Sequence, residues 1–375
     1  MEILIFSWRG PKHPNAGGAE TSTHEHAKGW VAAGYGVTLF TSSFPGAKKE
    51  EVIDGVKIIR KGWQVFGVQI RAIEWYLFGN HPYFDLVIDQ FHGIPFFTPI
   101  FVKVKKMAFI HEVTKEVWKL NHLPQPFNLI PAIFGPILEP LFFKLYKNIP
   151  FMTVSASTKK ELEELGIKNF NINVINNGIT VPSNINAKKE KVPTLIYLGV
   201  LSKDKGIETA IKVFSILNKK RNLQYWIVGE VSPVYFTKLE KQTNNLGISG
   251  KVKFFGYVSE EEKFRLLKKA QILVNPSIRE GWGLVVIEAA AVGIPTVAFN
   301  VAGLKDSIKD DKTGLLAKEY SAEALSDSIL RLIDNKRLYL RLSKNASNWS
   351  KNFSWEKASG ESLQLLMSIV NLSNS

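Results

Sequence analysis

The 375-residue chain contains no cysteine, which excludes a disulfide framework, a thiolate zinc site and a cysteine nucleophile. It also lacks any uninterrupted apolar run approaching the roughly 20 residues a membrane-spanning helix needs. Acidic residues are scarce against basic ones, 34 to 48, leaving a formal charge of +14. Such a charge suits nucleic acid, an anionic membrane surface or anionic small substrates. The basic residues are spread over both halves, as at Lys103, Lys105 and Lys106 or Lys219, Lys220 and Arg221. No nucleic-acid motif is present, so no nucleic-acid partner is expected. Attraction to a membrane surface and a plain solubilising surface both stay open. The first residues, Met1 to Phe6, read as a strand without the basic and apolar regions of a signal peptide.

Hydrophobic content of 45% and charged content of 22% are those of an ordinary globular protein. A chain this long is expected to form two domains, because single cores rarely grow past about 250–300 residues. Short apolar strands alternate with longer helical stretches, the pattern of doubly wound α/β domains. The strand candidates of the first half are Ile3–Ser7, Val37–Thr41, Leu86–Asp89, Met107–Ile110, Met152–Ser155 and Ile172–Asn176. Those of the second half are Thr194–Leu198, Gln224–Val228, Lys253–Gly256, Ile272–Pro276, Thr296–Asn300 and Gly314–Ala317. Each set opens on a strand followed by a glycine-bearing turn, and the two read as Rossmann-like parallel-sheet domains facing across a cleft. The polar, proline-bounded stretch Val181–Pro193 is the linker candidate. The expected division is 1–185, 186–352 and a C-terminal helix over 353–375, N-capped by Ser354. That helix either continues the second domain or crosses back to the first.

The segment Leu123–Pro150 is unusually apolar and aromatic. It reads either as a surface that dips into a bilayer or as a buried helix with its lead-in loop. Prolines at 124, 126, 131, 136 and 140 rule out a spanning helix.

The stretch Arg279-Glu280-Gly281-Trp282-Gly283-Leu284-Val285-Val286-Ile287-Glu288 holds two carboxylates, a glycine loop and the start of an apolar helix. Glycines let backbone N–H groups approach an anion, and the helix beginning near Gly283 points its positive dipole end at the same place. Glu280 just before the helix and Glu288 inside it then reach hydroxyls on either side of a diphosphate. The bland alternative is an amphipathic helix with two solvated glutamates. At the start of the chain, Gly17-Gly18 marks a loop-to-helix junction, either an anion cradle or a flexible turn. Gly199 through Gly206 places Lys205 next to a helix N-terminus, where it pairs with a diphosphate or is simply a surface lysine.

Taken together, Gly17-Gly18-Ala19-Glu20, His111-Glu112, Val154–Ser157, Asn177-Gly178, Gly199 with Lys205-Gly206, and Glu280 with Glu288 resemble the retaining glycosyltransferases of family 4. The resemblance runs over essentially the whole chain, and its second half is the more specific. It implies the GT-B fold and transfer of a sugar from a nucleotide donor, UDP or GDP, with retention and without a bound metal or other cofactor. By the same resemblance Glu280 contacts donor-sugar hydroxyls, Glu288 the ribose, and Lys205 the diphosphate. Backbone amides near Gly281, Gly283, Leu284 and Val285 hold its oxygens, and Gly199 belongs to the same nucleotide-sugar site. His111 lies beside the donor sugar, orienting it or serving structure alone. Gly17 and Gly18 close over the phosphates, while Asn177-Gly178 matches a boundary turn. One departure stands out: Val200 occupies the place of a family arginine. Lys203, Arg9 and Lys12 are the candidate substitutes.

Breaking an anomeric bond creates oxocarbenium character on the sugar and negative charge on the diphosphate, so donors aimed at the latter carry much of the catalysis. No residue of the motifs reads as a covalent nucleophile, which points to front-face transfer. The acceptor expected is a lipid-linked glycan or glycolipid, with the protein cytoplasmic and peripheral at the inner membrane face. A soluble sugar or polysaccharide acceptor is the alternative. A GT-B sugar-nucleotide epimerase, which needs no acceptor, and a non-catalytic binding subunit are the other readings.

Overall fold

The computed structural model describes residues 1–120 and 126–371. Leu123 and Pro124 of the apolar segment lie outside the described residues. The chain divides into two compact units, Met1–Gly178 with Ser354–Ser375, and Ile179–Phe353.

The first unit is built on eight strands: β1 (Glu2–Ser7), β2 (Gly36–Thr41), β3 (Glu50–Ile53), β4 (Val56–Arg60), β5 (Leu86–Gln90), β6 (Lys105–Ile110), β7 (Phe151–Thr153) and β8 (Ile172–Val174). Their order is β3-β4-β2-β1-β5-β6-β7-β8, parallel except for the antiparallel β3–β4 pair. Ile3 to Phe6 of β1 are fully buried, as expected of a central parallel strand covered on both faces. The β3–β4 hairpin adds two strands to the six expected in this half. Asp54 and Gly55 close it, both at positive φ, 50° and 79°, the backbone a two-residue hairpin turn requires.

The helix Leu129–Leu145 contains Pro136 and Pro140 within its run. Its inward side is narrow: Gly135, Glu139 and Phe143 are buried. Glu139 Oε1 accepts the Thr114 N–H at 2.8 Å, and its Oε2 accepts the Lys115 N–H at 3.0 Å and Trp118 Nε1–H at 3.1 Å. The outward side carries Ile133, Phe134 and Ile137, each more than half exposed. The buried-helix reading of this segment is therefore corrected, since one charged residue anchors the helix and most of its apolar side chains stay outside. Among the described residues no helix is long and apolar enough to cross a membrane.

The last helix, Trp355–Asn371, packs on helix Gly18–Ala32. Trp30 Nε1–H donates to Ser362 Oγ at 2.9 Å, and His26 Nδ1 lies 2.9 Å from the same oxygen. The tail thus belongs with the first unit.

The second unit contains β9 (Thr194–Leu198), β10 (Gln224–Val228), β11 (Val252–Gly256), β12 (Ile272–Asn275), β13 (Thr296–Phe299) and β14 (Gly314–Ala317). The order is β11-β10-β9-β12-β13-β14, all parallel. Counted from β9 this is the 3-2-1-4-5-6 order of a Rossmann sheet, with the strand order reversing between β9 and β12. Ligands of such sheets bind outside the strand carboxyl ends at that reversal. The loops that follow β9 and β12 are the ones holding Lys205 and Glu280.

Candidate functional site

In the second unit, the loop after β9 is pulled onto the loop after β12. Gly206 has φ +70°, and a Cβ there would lie 2.1 Å from the Pro276 carbonyl oxygen. Only glycine permits that approach. Tyr197, at the end of β9, donates its hydroxyl to the Val200 carbonyl at 2.9 Å, which fixes the loop's exit. Burial raises this phenol well above its ordinary pKa, so it remains a donor.

Lys205 Nζ and Glu280 Oε2 meet at 3.0 Å. Ser277 Oγ–H donates to Glu280 Oε1 at 2.9 Å, and the Glu280 N–H reaches the Ala302 carbonyl at 3.3 Å. Gly281 continues the turn. Gly283 is the N-cap of helix Leu284–Ala291, at φ +80° and without a capping side chain. The first backbone N–H groups, those of Leu284 and Val285, are the ones a helix start leaves without an intrahelical partner. Lys205, Glu280 and this helix start therefore share one rim of the sheet.

Glu288 sits on the same helix, and Lys263 of the neighbouring helix Glu260–Lys269 donates to its Oε1 at 2.7 Å. Burial pushes the Glu288 carboxyl above its ordinary pKa, with Lys263 opposing the shift. Gly199 opens the loop after β9 at φ +142°. Val200, the departure from the family pattern, is half exposed. Of its candidate substitutes, Arg9 pairs with Glu20 at 2.8 Å and Lys12 with Glu51 at 2.8 Å. Lys203 is exposed on the Lys205 loop itself.

In the first unit, Gly17 and Gly18 begin helix Gly18–Ala32 at the carboxyl end of β1. The Gly17 N–H donates to Glu20 Oε2 at 2.7 Å, so a built-in carboxylate already takes it. His111 follows β6, with its ring centroid 4.3 Å from that of Phe109 and Nε2 3.5 Å from Thr23 Oγ1. Burial, aided by the nearby His26 and His92, lowers its pKa to about 3, so the ring is neutral near pH 7. Asn177 Oδ1 accepts Ser22 Oγ–H at 2.7 Å, a link within the unit.

Sequence reasoning passed over Ser277 and Lys263. Ser277 stands three residues before Glu280 and was readable as a local partner. Lys263 is 25 residues from Glu288 in sequence, and no spacing rule connects them.

The Glycosyltransferase Family 4 pattern matches residues 16–181, and the Glycosyl transferases group 1 pattern matches residues 181–349. The chain is 30% identical over 207 residues to an uncharacterized glycosyltransferase, MJ1178, of Methanocaldococcus jannaschii, covering 54% of this chain and 55% of that protein. It is 28% identical over 173 residues to the D-inositol 3-phosphate glycosyltransferase of Paenarthrobacter aurescens, covering 45% and 42%. The chain thus spans about half the length of the curated relatives it matches. Sucrose-phosphate synthase from Thermosynechococcus elongatus superposes over all of both chains with a TM-score of 0.79 at 19% identity. HepE of Anabaena, solved in complex with UDP and glucose, gives 0.72 at 18% identity over 98% of this chain and 100% of its own. At such low identity these structures speak for the fold, two Rossmann-like units of GT-B type. With both halves matched by their family patterns and the fold agreeing, the chain belongs to the GT-B glycosyltransferases of family 4.

Proposed function

We propose that this chain is a retaining, metal-independent glycosyltransferase that moves a hexose from a nucleotide-diphosphate sugar, with UDP or GDP as the nucleotide, to a lipid-linked glycan or glycolipid. The observation that carries the reading is the meeting of Lys205 and Glu280 at 3.0 Å beside the uncapped start of helix Leu284–Ala291. A cation and a helix N-terminus converge where a diphosphate leaving group gathers charge. Glu280, held by Ser277, presents a carboxylate to sugar hydroxyls, and Glu288 serves the ribose. Lys203, exposed on the same loop as Lys205, is the second cation in place of the arginine missing at Val200.

In the reaction, the bond between the anomeric carbon and the diphosphate oxygen breaks while the acceptor oxygen bonds to the same face of that carbon. The acceptor's proton passes to the departing phosphate oxygen, so charge balances without a side-chain base. His111, neutral near pH 7, and the Gly17-Gly18 turn lie in the first unit and keep the roles the family resemblance implies.

The lipid acceptor is supported by the first unit's surface. Ile133, Phe134 and Ile137 lie exposed on helix Leu129–Leu145, and Ile70 and Phe78 on helix Gly67–Phe78. Beyond the end of the former helix opens a groove of about 640 Å³ lined in part by Lys103, Lys105, Lys106 and Asn148. Exposed apolar side chains and basic side chains on the one unit match an anionic bilayer at the cytoplasmic face. A soluble acceptor is the second reading, favoured by relatives named for inositol phosphate and sucrose phosphate.

The test is transfer of label from a panel of UDP-, GDP- and ADP-sugars into extracted membrane lipid, with Glu280→Ala beside wild type. Label in the organic phase that the variant loses supports the lipid acceptor. Label confined to water-soluble product moves the acceptor to the second reading. A changed sugar nucleotide without transfer makes the protein an epimerase.

A further inference from the structure

Helices Glu260–Lys269 and Leu284–Ala291 lie against one another in the second unit, and a charged pair joins them. Lys263 Nζ lies 2.7 Å from Glu288 Oε1 and 2.6 Å from Glu260 Oε2. The Lys263 and Glu288 side chains are both mostly buried, whereas that of Glu260 is exposed. The other Glu288 oxygen, Oε2, is buried and has no hydrogen-bond partner. Leaving a buried acceptor unsatisfied is costly, more so when it is charged. An acceptor kept in that condition about one turn inside the start of helix Leu284–Ala291 calls for a donor from outside the chain.

We propose that Lys263 is a positioning residue, which by holding Oε1 makes Glu288 a single-acceptor carboxylate whose Oε2 takes one ribose hydroxyl of the nucleotide. This inference rests on the donor-site reading above. A carboxylate with two open oxygens grips a vicinal diol through both and scarcely separates the two hydroxyls. With Oε1 committed to an ammonium, one hydroxyl is read and its neighbour is left to water or backbone. The lysine has a second effect. Burial favours the neutral acid at Glu288, and the adjacent ammonium opposes it. Glu288 is thereby kept as an acceptor.

Lys263 also ties two helices together, so the test must move something a mere tie does not. Calorimetry on the full chain first finds which of UDP, GDP and ADP binds, then compares that nucleotide with its 2′-deoxy and 3′-deoxy forms. Wild type is expected to lose about ten- to a hundredfold in affinity on one deoxy form and little on the other, the worth of one hydrogen bond to a charged group. Lys263→Met is expected to bring the two deoxy forms within about threefold of each other and Lys263→Arg to restore the difference. The acid limb of nucleotide binding should move to higher pH in Lys263→Met, because Glu288 without its cation takes a proton more readily.

Wild-type discrimination and an unmoved acid limb in Lys263→Met would reduce Lys263 to a tie between helices. Should that variant unfold, the wild-type comparison still decides, since equal losses on both deoxy forms overturn the single-acceptor geometry. If wild type binds none of the three nucleotides, the donor-site reading itself falls, and this inference with it.

Discussion

Glu280 is held on two sides, by Lys205 at 3.0 Å and by Ser277 at 2.9 Å, so its carboxylate is positioned by the chain itself. Such preorganisation is what makes a charged group effective in a site that excludes water. Lys205→Ala and Glu280→Ala are each expected to lower transfer by about 10²–10³-fold, the cost of one preorganised donor or acceptor. Their melting temperatures should stay near wild type, because neither side chain belongs to a hydrophobic core. Wild-type transfer rates in both variants would remove these residues from the site. At this scale the motif residues were legible because glycine, lysine and glutamate stand at short spacings. Their partners were less so. Lys263 reaches Glu288 from another helix, and the Gly17 N–H is taken by Glu20 within its own turn.

Secondary-structure elements were readable wherever burial makes a strand continuously apolar, as in β1, β9 and β10. The β3–β4 hairpin escaped because Glu50, Glu51 and Lys57 interrupt its apolar pattern, although Asp54-Gly55 between two short runs was a usable turn signal. Helix Leu129–Leu145 escaped in part because its prolines read as breakers, whereas the structure carries two of them inside the helix. Two predictions belong to the contact between helices Gly18–Ala32 and Trp355–Asn371. Ser362→Ala removes the acceptor of Trp30 Nε1–H and the partner of His26 Nδ1. It should lower stability by about 1–3 kcal/mol, measured by denaturant unfolding. His26 is fully buried, and burial lowers its pKa from 6.5 to about 4. The unfolded chain therefore binds a proton that the folded chain refuses between those values. Stability is expected to be full above pH 6.5 and to fall as pH drops toward 4. Thermal unfolding from pH 8 to 4 should show a smaller decline in His26→Gln, and an equal decline would exclude His26 as its source.

For the molecule as a whole, the proposed membrane contact draws on the +14 charge and on the exposed apolar side chains of the first unit. Purified protein is expected to sediment with vesicles rich in anionic lipid at low ionic strength and to be released by about 1 M salt, where the screening length falls to about 3 Å. Ile133→Asp combined with Ile137→Asp should weaken binding about tenfold or more without unfolding the chain, since both side chains are exposed. Failure of wild type to sediment would end the membrane reading and leave the soluble acceptor. Sequence length alone pointed to two domains, but where the chain passes between them is a matter of contact. The last helix lies far from helix Gly18–Ala32 in sequence and shares a buried hydrogen-bond cluster with it.

The sequence by itself determined the repeating strand–helix pattern, most strands of its two sheets and the short motifs of glycine, lysine and glutamate. Those depend on local periodicity, on glycine's backbone freedom and on charges a few residues apart. Tertiary structure alone decided which side of helix Leu129–Leu145 faces outward, which unit receives the last helix, and which cation holds each glutamate. Those outcomes depend on packing and burial among residues distant in sequence, where a carboxylate's state follows from what is brought beside it.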